Sequence, residues 1–99
     1  ESLLVDFALR RHPQETMVDR LHREHCRTSG DMPVSNLKIF LSRKLSYEPA
    51  SHFQILANAG GKGVILDDAI TLTEARRDIC DVPDGSFMVL HYRVLPINY

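Results

Sequence analysis

The stretch from Met32 to Leu45, MPVSNLKIFLSRKL, decides how the rest of this chain is read. Val34, Leu37, Leu41 and Leu45 recur at spacings of three and four, with Phe40 beside them, which places them on one apolar stripe of a helix. Ser35, Lys38, Ser42 and Arg43 take the other face. Gly30-Asp31 offers a turn and a cap, and Pro33 suits a first helical turn, where its missing N–H is not needed. One amphipathic helix cannot bury its stripe alone, so the flanking segments must supply a sheet.

Working outward to the N-terminus, Leu3 to Arg10 alternates Leu3, Val5, Phe7 and Leu9 with Asp6 and Arg10, the period of a half-buried strand. Arg11 to Leu21 is polar, contains Pro13 and shows no period, which predicts a mobile loop or a short helical turn. His22 to Ser29 reads as a second strand with no strongly apolar face. One side carries Glu24, Cys26 and Thr28, the other Arg23, His25 and Arg27. That is the look of an edge strand, where charge deters unwanted pairing.

Toward the C-terminus, Pro49 bars continuation of the helix. His52 to Ala59 is a third strand, with Phe53, Ile55 and Ala57 alternating. Gly60-Gly61-Lys62-Gly63 is a tight turn into a short fourth strand, Val64 to Leu66. Asp67-Asp68 opens another turn, and Thr71 or Thr73 caps a short helix reaching Ile79. Asp84-Gly85 signals a turn before the last strand, Phe87 to Val94, which sets Met88, Leu90 and Tyr92 against Phe87, Val89 and His91.

The order is strand, strand, helix, strand, short strand, short helix, strand. It predicts one α+β domain over residues 1–99, with a mixed sheet of four or five strands grasping one main helix. The first and last strands are central and parallel, and the second lies at an edge. The expected core is Leu3, Val5, Phe7, Leu9, Val34, Leu37, Leu41, Phe53, Ile55, Leu66, Leu72, Leu90 and Tyr92.

Composition narrows the function. At 99 residues, 43% hydrophobic and 25% charged, the chain has the profile of a single soluble domain. A formal charge of −1 gives no field that calls for direct nucleic-acid binding or a membrane surface, and no apolar run approaches the roughly 20 residues that span a bilayer. No signal peptide opens the chain, and Glu1 in place of Met suggests a piece of a longer protein. Cys26 and Cys80 form no CxxC and read as reduced thiols of a reducing compartment, cytosol or nucleus.

Catalytic chemistry finds no support. His22, His25 and Cys26 cluster, but strand alternation sends His25 away from the other two, so three metal ligands do not converge. No motif sets a base or an oxyanion donor beside Cys26 or Cys80 for His52 or His91 to complete. Gly60 to Gly63 lacks the spacing of a phosphate loop, and Asp67-Asp68 and Asp81-Asp84 are turn residues before they are paired acids. No catalytic residue, cofactor site or metal site is expected.

The run Leu66-Asp67-Asp68-Ala69-Ile70-Thr71-Leu72-Thr73 resembles the turn before the last strand of ubiquitin, and Met88 to Val94 resembles that strand. With the element order, this points to a ubiquitin-like β-grasp. Over about ninety residues the chain is similar to the RAWUL domain, the ubiquitin-like domain of the Polycomb RING-finger proteins. The similarity is carried by Phe7 to Pro13, Arg27-Thr28-Ser29-Gly30, Val34-Ser35-Asn36-Leu37 with Phe40-Leu41, and Leu90 to Val94. Animal catalytic-type members carry a long insertion after the helix, where this chain has only Ser46 to Ser51.

The resemblance implies a nuclear recruitment domain whose parent is a RING ubiquitin ligase that monoubiquitinates a core histone in gene silencing. Its partners would be chromobox or RYBP-like segments in one branch, co-repressors and Polyhomeotic-like subunits in the other, added as a strand on the free edge. By position, Arg23, His25 and Arg27 are the outward contacts, Cys26 and Thr28 anchor the strand from inside, and Ile39 on the helix is a secondary contact. Phe87 and Val89 are either covered by the early loop or part of an interface patch. The same edge could pair two copies weakly. Alternative readings are a scaffold domain of the Ras-association or PB1 kind, for which the charges look too dispersed, and a conjugated modifier. The latter needs a C-terminal Gly-Gly where this chain ends Leu95-Pro96-Ile97-Asn98-Tyr99.

Overall fold

The computed structural model describes residues 3–80, 82 and 86–95. Five strands, β1 (Leu4–Arg11), β2 (His25–Ser29), β3 (Phe53–Ala59), β4 (Lys62–Ile65) and β5 (Met88–Val94), form one mixed sheet in the order β2-β1-β5-β3-β4. β1 and β5 are central and parallel, and the other neighbours are antiparallel. The main helix α1 (Val34–Lys44) covers one face, and a short helix α2 (Leu72–Glu74) runs on as a π-helical turn, Ala75–Ile79. This is the α+β, β-grasp arrangement that the element order predicts, with β2 at one edge.

The periodicities place the core. Val34, Leu37 and Leu41 on α1 are at most 2% exposed, against Phe7, Leu9, Phe53, Ile55, Leu90 and Tyr92 of the sheet. Leu3 departs from expectation at 76% exposed: it precedes β1, and its carbonyl accepts from the Gly30 N–H at the end of the sheet. Ala57 and Met88, which share the alternating faces of β3 and β5, complete the core, and Val18, Ala75 and Val94 join it unanticipated. The turn expected at Asp84-Gly85 lies outside the described residues, as do Asp81 and residues 96–99 of the chain's ending.

The start of α1 is capped differently from the sequence expectation. Pro33 is extended and sits before the helix, bridged to Thr71, and neither Gly30 nor Asp31 caps it with a side chain. The first helical N–H groups are instead met by backbone: Val34 donates to the Ile70 carbonyl at 2.8 Å and Ser35 to that of Asp68 at 3.1 Å. Gly30 is packed where this clamp closes. A Cβ there would fall 2.0 Å from Thr73 Oγ1 and 3.2 Å from the Leu3 carbonyl. Thr73 is therefore a packing residue, and Thr71 caps α2 through a capping box with Glu74. The β3–β4 hairpin turns on Gly60 and Gly61, with φ of 58° and 83°, as two-residue hairpins of this twist require. Lys62 and Gly63 already belong to β4, and Leu66 lies just past it, buried.

The segment between β1 and β2 forms no helix and is bonded to the sheet. Glu15, 8% exposed, accepts the Val94 N–H at 2.8 Å through Oε1, and those of Met17 and Val18 through Oε2. Tyr92 donates its hydroxyl to the Asp19 carbonyl at 2.6 Å, and Arg11 Nη1 donates to that of Val18 at 3.2 Å. These bonds fasten the loop against the end of β5 and set the path by which the chain enters β2.

Candidate functional site

β2 begins at His25, three residues later than expected, where its pairing with Ala8 of β1 starts. Two bonds fix the phase of this ladder. Leu9 N–H donates to the Glu24 carbonyl at 2.7 Å, and Gly30 N–H donates to the Leu3 carbonyl at 2.8 Å. By antiparallel alternation, Cys26 and Thr28 then turn their backbone groups toward β1, and His25 and Arg27 turn theirs outward. The N–H and C=O of His25 and Arg27 have no partner among the described residues. An extended segment laid there would find donors and acceptors at strand spacing.

The side chains divide across the two faces of the sheet. Cys26 is half-buried on the helix side, and burial pushes its thiol up from the ordinary value. Thr28 is also half-buried, opposite Val5. His25 and Arg27 lie on the open face, where Arg27 grips Asp6 by two bonds of 2.9 and 3.1 Å. That guanidinium holds the Asp6 carboxyl below its usual range, with His25 Nε2, 3.4 Å away, contributing less. His25 also meets Phe87 edge-on at 5.3 Å between ring centroids. Phe87, at 44% exposed, is not covered by the early loop, which packs against Tyr92 and Val94.

Between the free edge of β2 and the C-terminal half of α1 runs a groove of about 460 Å³. Its apolar floor is Leu21, Cys26, Phe40 and Leu45. Arg20, His22, Arg23, His25 and Lys44 form its walls, with Lys44 Nζ 5.9 Å from the centre of the Phe40 ring. Of the residues singled out from sequence, the fold brings Arg23, His25 and Cys26 together here. Arg27 lies on the open face alone, whereas His25 at the edge borders both that face and the groove; Thr28 lies further along β2, and Ile39, 44% exposed, does not line the groove. Sequence reading missed Arg20, Leu21, Phe40, Lys44 and Leu45 as site residues. Phe40 and Leu45 did carry a signal: Phe40 lies beside the stripe and Leu45, expected on it, falls at the C-cap of α1, and both remain only partly buried.

On the open face, His91 stands 6.3 Å from His12, ring to ring. Burial, then the charges of His12 and Arg10, press its pKa below the ordinary 6.5, with Glu24 opposing. The unfolded chain therefore takes up this proton more readily, so the stability tied to neutral His91 is full above about pH 6.5 and is lost as pH falls through the lower folded value. His91→Gln is expected to flatten the fall in melting temperature between about pH 7 and pH 5. An equally steep fall in the variant would contradict this assignment.

Among the described residues, no three His, Cys, Asp or Glu side chains are grouped to hold a metal ion, and no helix is long and apolar enough to cross a membrane. No protein-family model and no curated protein matches the chain.

Proposed function

We propose that this chain is a protein–protein interaction domain that takes an extended partner segment as a further strand on β2. The observation that supports it is the conjunction of two features: unpartnered backbone groups at His25 and Arg27, and an apolar-floored groove directly beside them. Main-chain bonds supply affinity in this mode, and alternate side-chain pockets supply specificity. The RAWUL resemblance of Phe7 to Pro13, Arg27 to Gly30 and the α1 stripe supplies the biological setting. In that reading the domain serves a Polycomb RING-finger protein in the nucleus. It recruits a chromobox or RYBP-like segment to a ligase that monoubiquitinates a core histone, and itself performs no catalysis. Pairing of two copies through β2 is the competing use of the same edge.

The test is a backbone NMR titration with chromobox and RYBP-like peptides, each made in two N-methylated forms. Methyl groups on the amides that face β2 should weaken binding at least about tenfold, while methyl groups on the alternate amides leave it unchanged. The largest shifts should fall on residues 21–29. Equal binding by both methylated forms, or shifts centred elsewhere, would reject strand addition at β2.

A further inference from the structure

Residues 20–45, which contain β2, α1 and the turn between them, hold six lysines and arginines against two acidic residues. That is a net +4 inside a chain whose net is −1, so the remainder is acidic. The fold sharpens this contrast. Arg27 and Lys38 are each paired, with Asp6 and Asp68, whereas Arg20, Arg23 and Lys44 are in no ion pair among the described residues. These three exposed cations are the ones that line the groove, and no carboxylate lines it with them. Glu24, adjacent in sequence, lies toward Arg10 at 3.8 Å and is not part of the wall.

We infer that the occupant of the β2 groove is an acidic extended segment, in which apolar residues alternate with or are flanked by Asp and Glu. This rests on strand addition at β2 and adds the charge of the partner. Apolar side chains would settle on Leu21, Cys26, Phe40 and Leu45, and carboxylates would meet Arg20 and Arg23 at one wall and Lys44 at the other. Complementary charge of this kind acts chiefly on specificity and on encounter rate, and it weakens with salt. The backbone edge and the apolar floor favour a peptide over a nucleic-acid strand, which has no amide groups to continue the sheet.

The experiment uses three designed peptides of about ten residues, identical on one alternating Val/Leu face and carrying Glu, Gln or Lys at every intervening position. Each is titrated into the 99-residue chain by fluorescence anisotropy, and its position is checked from amide shifts on β2. The Glu peptide should bind at least about tenfold more tightly than the Gln peptide near 0.05 M salt, with the gap closing toward about 0.5 M. In the Arg20→Gln/Arg23→Gln/Lys44→Gln variant, whose changes are all at exposed positions, the ratio of Glu-peptide to Gln-peptide affinity should fall to about one near 0.05 M salt. If the Gln and Glu peptides bind β2 equally, strand addition stands and the acidic-partner inference falls. If no peptide shifts β2, both fall together. Tighter binding of a single-stranded oligonucleotide than of the Glu peptide, displacing it from the groove, would also overturn the inference.

Discussion

Leu41→Ala is expected to lower the unfolding free energy by about 2–5 kcal/mol, the range for removing a fully buried leucine side chain whose surroundings collapse only in part. Leu41 is 0% exposed and sits in the middle of α1, in one core with Phe53, Ile55 and Tyr92 from the sheet beneath. The loss is large because domains of this size are stabilised by only about 5–15 kcal/mol in all. A urea titration of the wild type and the variant at equal slope measures it. A loss well under about 1 kcal/mol would reject the placement of the α1 stripe against the sheet. The consequence reaches the groove, because the same helix carries Phe40 and Lys44 to its floor and wall.

Glu15→Ala should cost about 2–4 kcal/mol, although nothing in the local sequence marks this residue as structural. Its carboxylate gathers three backbone N–H groups, two of them on the buried residues Val18 and Val94. Alanine leaves those donors without acceptors where water enters poorly, and each such orphan costs about 1–3 kcal/mol. Glu15→Gln keeps one carbonyl acceptor and should lose less. Amide hydrogen exchange at Val94 supplies a local reading: exchange should accelerate in the alanine variant beyond what global unfolding explains. Unchanged exchange with a stability loss below about 0.5 kcal/mol would show that the loop is held by other contacts. Because the segment fastened by Glu15 delivers Arg20, Leu21 and Arg23 to the groove, the alanine variant should also bind β2 ligands more weakly.

The elements of this fold were legible wherever a local period exists. Val34, Leu37 and Leu41 on α1, Phe53, Ile55 and Ala57 on β3, and Met88, Leu90 and Tyr92 on β5 are buried as their spacing demands. Such spacing reflects backbone geometry within a few residues, 3.6 per helical turn and two per strand repeat, and needs no knowledge of the partner element. The free edge was legible for the same reason: a short strand with His25 and Arg27 on one side and only Cys26 and Thr28 on the other has too little apolar surface for the middle of a sheet.

What the tertiary structure alone decided are the events that join residues distant in the chain. Leu3 fits the alternation of β1 but precedes the strand and remains exposed. Glu15 is buried because Val94, 79 positions away, needs an acceptor. The start of α1 is satisfied by the Asp68–Ile70 backbone and not by its own flanking residues. The charges that look dispersed along the chain become a directed patch when Arg20 and Arg23, entering β2, are set across a groove from Lys44 on α1. Periodicity is a property of the local backbone, whereas burial at a strand's end, the pairing of a carboxylate and the gathering of unpaired cations depend on sheet order and on the path of the connecting loop.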